Sequence, residues 1–147
     1  MAAVAALQNE LSDIGTQVLA CSIDTKFTHK IWDETELSKL VKGGIPYPMI
    51  WDVGGQIGRM YGVYDEKSGL NGRGVFIIDP DGNIQALEIV SNSLGRNFDE
   101  TLRQVRGLQH IRKTNEGVPA GWEPGGQTLK PSPDLVGHVC DIWRPKK

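Results

Sequence analysis

Gly72–Val90 reads GRGVFIIDPDGNIQALEIV, and this stretch decides the fold. Val75–Asp79 is an apolar run of strand length, and DPDG at 79–82 places proline and glycine where a tight turn uses them. NIQALEIV then returns with Ile84, Ala86, Glu88 and Val90 alternating against Gln85, Leu87 and Ile89, the period of a strand with two unlike faces. Two such runs about one short turn predict a β-hairpin. DPDGN lacks the further carboxylates of a calcium loop, so a turn is the better reading.

Downstream, Asn97 with Glu100 three residues later resembles a capping box, and Phe98, Leu102, Val105 and Leu108 form the apolar stripe of a helix ending at the basic Arg112 and Lys113. This helix is expected to cover the sheet. From Thr114 five prolines and five glycines break all periodicity, so residues 114–147 are expected to form an extended tail rather than a domain, with one short turn or strand in LVGHVCDIW. Upstream, QVLACSI (17–23) is apolar on both sides and predicts a buried strand between layers. Ahead of it, Val4, Leu7, Leu11 and Ile14 share one helical face that Gly15 can cap. A second helix is expected from about Thr28 to Lys42, with Ile31, Trp32, Leu37, Leu40 and Val41 inward, stopped by Gly43 and Gly44. YPMIWD gives a short strand and Gln56–Tyr61 a short helical piece. Alternating helix and strand units, then a hairpin and a covering helix, make an α/β chain: a thioredoxin-like three-layer α/β/α sandwich whose core spans residues 1–113.

At 147 residues the chain is long enough for one core but not for two. Sixteen Lys and Arg against eighteen Asp and Glu leave a net charge of −2 with no basic run, which argues against a nucleic-acid partner. No apolar stretch approaches the roughly 20 residues of a membrane span, and the start MAAVAALQNELSD has no basic segment ahead of its apolar residues. A cytoplasmic location is the expectation. Cys21 and Cys140 stand far apart and outside any CxxC, so neither a disulfide framework nor a redox pair is expected. Cys21, mid-strand, reads as a buried inert thiol. His138 and Cys140 are two metal-ligand types without two more, so no metal site is expected, and the glycines at 54, 55, 58 and 62 reproduce no dinucleotide or phosphate loop. No cofactor is implied.

Four ordered segments carry a family resemblance: VLACSIDTKFTHKIW (18–32), GRGVFIIDPDGNIQALEI (72–89), LGRNFDETLRQVRGLQ (94–109) and GVPAGWEPG (117–125) with its LVG ending. Together they resemble the AhpC/TSA family of peroxiredoxins, nearest the typical two-cysteine branch, from residue 3 to about 136. The resemblance implies a thiol peroxidase: a cysteine thiolate attacks a hydroperoxide, and the sulfenic acid is trapped by a second thiol and reduced by a thioredoxin-like or AhpF-like partner. It implies a homodimer, and in some members a ring of dimers.

The resemblance assigns roles residue by residue. Arg73 matches the active-site arginine that lowers the thiol pKa and hydrogen-bonds the peroxide; a solvated loop charge is the competing reading. Arg96 matches the supporting arginine, against a charge pair with Asp99 or Glu100. Thr28, His29 and Trp32 match a segment near the active site and at the contact between dimers, although packing and capping suit His29 better than catalysis. Ile84, Ala86, Glu88 and Val90 lie on the strand through which the family's dimers pair edge to edge. The family's attacking cysteine sits in a VCPTE-like segment at the start of the helix continued here by AAVAALQNELSDIG, and Met1 falls just beyond it. The usual resolving cysteine is replaced in GVPAGW, where Val118 occupies or adjoins its place. Cys140 is then either a displaced resolving thiol or an incidental tail cysteine. Two expectations follow: a chain inactive as it stands, derived from a longer peroxiredoxin or serving as a non-catalytic oligomeric scaffold, and a fold missing its central strand, leaving QVLACSI and GVFIID with unpaired edges.

Overall fold

The computed structural model describes residues 1–145. They form two compact units, residues 1–98 and a second beginning at Asp99.

The first unit opens with α1 (Ala2–Ala5) and α2 (Gln8–Asp13) in place of one helix, because Leu7 leaves the helical basin at φ −99°, ψ 5°. Gly15 ends α2 as the sequence suggests: at φ +68° it lets its own N–H reach Ser12 O and the N–H of Thr16 reach Leu11 O at 2.8 Å.

The strand predicted over 17–23 shrinks to β1 (Ala20–Ser22), which pairs in parallel with β2 (Met49–Trp51), Cys21 opposite Ile50. The buried environment expected for Cys21 is also corrected: its side is exposed, as is Leu19 at 56%. The reason lies in the ladder. Among the described residues β2 is the only strand paired with β1, so the other edge of β1 stands open.

Thr25 caps α3 (Lys26–Trp32) by accepting the N–H of Thr28, three residues before the predicted start. The helix then widens into a π turn (Asp33–Leu37) before α4 (Ser38–Leu40). That turn breaks the 3.6-residue register, so Leu37 is buried whereas Ile31 and Leu40, expected inward, are exposed.

A buried carboxylate organises the next loop. Asp52 accepts the N–H groups of Ile57 and Gly58 at 3.0 and 2.8 Å and so starts α5 (Gln56–Met60). Burial raises the Asp52 pKa, but the N–H bonds and the Arg59 charge outweigh it and hold the carboxyl below the ordinary range. β3 (Tyr64–Asp65) and β4 (Leu70–Asn71) follow as a short antiparallel pair.

The predicted hairpin forms as β5 (Arg73–Ile78) and β6 (Ile84–Val90), with Arg73 opposite Val90 and a bulge between Ile77 and Ile78. The described strands thus form three separate two-stranded ladders, and β1 and β5 do not pair with each other. This matches the gap expected between QVLACSI and GVFIID.

In the second unit, α6 (Phe98–Thr114) buries Leu102 and Val105 and ends at Asn115, which takes φ +58°. The tail is less extended than its composition suggests. A bridge joins Gly117 to Leu129, and Trp122 is buried with its indole N–H donating to Gly126 O at 3.2 Å. Gly107 makes room for this return, since a Cβ there would lie 3.2 Å from Val118 Cγ2. A 3₁₀ turn (Pro133–Leu135) and α7 (Val139–Ile142) complete the described chain.

Candidate functional site

The hairpin places Arg73 at the first residue of β5, and Arg96 follows in the loop after β6. Arg73 Nε donates to Asn92 O at 2.5 Å, and Arg96 Nη1 donates to Gly74 O at 2.7 Å, so each guanidinium is anchored by one N–H to the backbone. Arg96 also stands over the Phe98 ring, 5.2 Å from its centroid. Among the described residues neither arginine has a carboxylate within ion-pair distance. Partial burial and the nearby positive charge of Arg73 both lower the pKa of Arg96, while Glu88 and Tyr47 act in the opposite sense.

Two residues outside the sequence-based assignment share this cationic neighbourhood. The amino group of Met1 is partly buried, and burial, Arg96 and Arg73 all lower its pKa. Tyr47 is 6% exposed and donates its phenol O–H to the Met1 carbonyl at 2.8 Å; burial raises the phenol pKa against the charge of Arg96. The one signal in the sequence was a tyrosine held between Pro46 and Pro48. Nothing local connects it with residue 1.

The remaining candidates lie elsewhere. His29 is buried, with Nε2 2.7 Å from Ser22 Oγ, and that hydroxyl donates to Asp24 Oδ2 at 2.8 Å. Because the serine proton is committed to Asp24, Nε2 carries its own proton and donates. Trp32 Nε1 donates to Glu36 at 3.0 Å, and Thr28 belongs to the Thr25 cap. Glu88 and Ile84 are exposed along β6, Ala86 and Val90 half-buried. Although Cys21 is exposed, partial desolvation and the Asp52 carboxylate raise its thiol pKa, the reverse of what a peroxide-attacking thiolate needs. Cys140 lies exposed on α7, its Sγ 3.8 Å from Asp141 Oδ1. Among the described residues no three His, Cys, Asp or Glu side chains cluster to hold a metal.

An arginine pair that has, among the described residues, no carboxylate within ion-pair distance, set in the field of a partly buried residue 1, is suited to an anion or to an oxygen that gains negative charge during reaction. The sequence profile of the AhpC/TSA family matches residues 1–87, more than half of the chain. The chain belongs to the AhpC/TSA family. A second profile, that of the C-terminal domain of 1-Cys peroxiredoxin, matches residues 107–143. The chain is 49% identical over its whole length to the selenocysteine-containing peroxiredoxin PrxU of Peptoclostridium acidaminophilum, covering 73% of that protein. It is 44% identical to alkyl hydroperoxide reductase C of Bacillus subtilis (strain 168), with 88% of this chain and 68% of that one aligned. Among solved structures, reduced 2-Cys peroxiredoxin of Plasmodium vivax superposes with a TM-score of 0.86 at 28% identity, covering 95% of this chain and 72% of the other. These relatives are peroxiredoxins and an alkyl hydroperoxide reductase C, and this peroxiredoxin shares their thioredoxin-like α/β architecture. No helix among the described residues is long and apolar enough to cross a membrane.

Proposed function

We propose that Arg73 and Arg96 are the cations that hold the reacting chalcogenate and the departing oxygen during hydroperoxide reduction, and that the chalcogen is carried on backbone joined to the amino side of Met1. One observation carries the reading: among the described residues neither guanidinium has a carboxylate within ion-pair distance, and both lower the pKa of the residue 1 amino group, whereas the Cys21 thiol is pushed up by partial burial and Asp52. In the reaction the chalcogenate attacks one peroxide oxygen and the O–O bond breaks. The chalcogen becomes a sulfenic or selenenic acid, and the departing oxygen leaves as water or alcohol after taking up a proton. Free guanidinium N–H groups stabilise the negative charge at both ends of that displacement.

Selenium in place of sulfur is the second reading, favoured by the full-length match to a selenocysteine-containing peroxiredoxin. Cys140, exposed on α7, is the thiol available to condense with the oxidised chalcogen, and a thioredoxin-like or AhpF-like dithiol would complete the cycle. Pairing of β6 edge to edge in a homodimer, through Ile84, Ala86, Glu88 and Val90, and a reducing, cytoplasmic compartment belong to the same proposal. Thr28, His29 and Trp32 on α3 are proposed as the contact between dimers.

The test compares the 147-residue chain with the product of the same gene read from its upstream codons, by stopped-flow peroxide consumption with a dithiol donor. The longer product should turn over and lose most of its rate on Arg73→Gln or Arg96→Gln, while the shorter stays silent. The isotope pattern of the intact mass distinguishes selenium from sulfur. Rapid turnover by the shorter chain would overturn the assignment.

A further inference from the structure

Tyr47 reaches across 46 residues of sequence to residue 1, and nothing in the assigned chemistry explains why. The Met1 carbonyl does not need it. As the N-cap of α1 that oxygen already accepts the N–H groups of Val4 and Ala5, each at 3.1 Å, so helix formation is satisfied without the phenol. A third donor therefore adds orientation rather than satisfaction.

The loop that carries Tyr47 is held on both sides. Ahead of it, Ile45 N–H donates to Asp33 Oδ1 at 2.9 Å, and Gly44 at φ +82° packs so closely that a Cβ would stand 2.6 Å from Asp33 Oδ2. Behind it, Pro48 O accepts the N–H of Ala20 at 3.0 Å, tying the loop to β1. Pro46 and Pro48 fix φ on either side of the tyrosine. A rigid loop thus aims a buried phenol at the first residue of α1, in the field of Arg96.

We propose that Tyr47 is a positioning residue of the peroxide site: its O–H, delivered by the loop between the π turn and β2, fixes the backbone of residue 1 beside Arg73 and Arg96. This rests on the proposed role of the two arginines. Tyr47 touches no reacting atom; it acts through the peptide group at Met1, which sets where a group attached to that end of the chain can lie.

The Met1 amino group reports directly on this placement, because burial and both guanidiniums lower its pKa only while residue 1 is held among them. The chain is released from a cleavable fusion so that Met1 is its first residue, the amine is methylated with ¹³C-formaldehyde, and its titration is followed by NMR. In Tyr47→Phe the ring remains and the helical bonds to the carbonyl remain. Release of residue 1 should nonetheless raise the titration midpoint by about 0.5 pH or more toward that of an open terminus. A midpoint equal to that of the unsubstituted chain in a folded Tyr47→Phe protein overturns the proposal, since a merely structural phenol would leave the amine where it was. If Tyr47→Phe does not fold, ¹³Cζ-tyrosine titration of the unsubstituted chain and of Arg96→Gln decides: removal of the Arg96 charge should raise the Tyr47 midpoint, and no change overturns the proposal. Arg73→Gln and Arg96→Gln test the arginine site separately. If both leave the amine midpoint unmoved, that reading fails whatever Tyr47→Phe does.

Discussion

Gly54 and Gly55 are neighbours with left-handed backbones, at φ +89° and +69°, yet they predict very different costs for the same substitution. A Cβ on Gly54 meets nothing within 4 Å, whereas a Cβ on Gly55 stands 2.2 Å from two ring carbons of Tyr64. The ring has little freedom to yield, because the Arg59 guanidinium lies over it at 4.1 Å and is itself held by Glu66 at 2.5 and 2.9 Å. Gly54→Ala should therefore cost only the left-handed penalty, about 1–2 kcal/mol. Gly55→Ala pays the same penalty plus overpacking of about 1–3 kcal/mol, for a total of about 2–5 kcal/mol. In a domain of this size that total corresponds to a fall in Tm of roughly 4–20 °C. Urea and thermal unfolding followed by far-UV circular dichroism measure both variants. The decisive arm places each alanine in a Tyr64→Ala background, where the ring is gone and the difference between the two positions should vanish. Equal destabilisation at Gly54 and Gly55 in the unsubstituted background would refute the reasoning.

Two further predictions concern Leu37, which is buried as the sequence suggests, and Leu40 and Cys21, which are exposed where the sequence placed them inside. Leu37→Ala should cost about 2–5 kcal/mol of stability in urea titrations, whereas Leu40→Ala, at a position expected inward but 66% exposed, should change stability by no more than about 0.5 kcal/mol. Peptide-mapped alkylation of Cys21 should show a pH midpoint above that of free cysteine, as partial desolvation and Asp52 raise its thiol pKa; a midpoint at or below the free value would contradict that placement.

Short-range patterns carried most of the architecture. The hairpin of β5 and β6 was readable because a two-residue period on either side of DPDG leaves one local solution, and α6 because four apolar residues repeat on one helical face. Gly15 and the glycine pair before Ile45 were readable as stops for the same local reason. The α3 region was misread because a π turn breaks the period on which inward and outward faces are inferred, and no residue type announces it. Cys21 was misread because an apolar strand looks buried whether or not another strand covers it, and coverage depends on which chain segments pair.

Motif resemblance singled out Arg73 and Arg96, but it said nothing of their surroundings. The absence, among the described residues, of a carboxylate within ion-pair distance of Arg73 or Arg96, and the hydrogen bond from Tyr47 to the Met1 carbonyl, depend on segments dozens of residues apart. Periodicity and turn chemistry act over a few neighbouring residues, so they dictate helices, strands and their ends. Hydrogen bonds and charges act through space, and only the folded path of the chain decides which distant groups come within their reach.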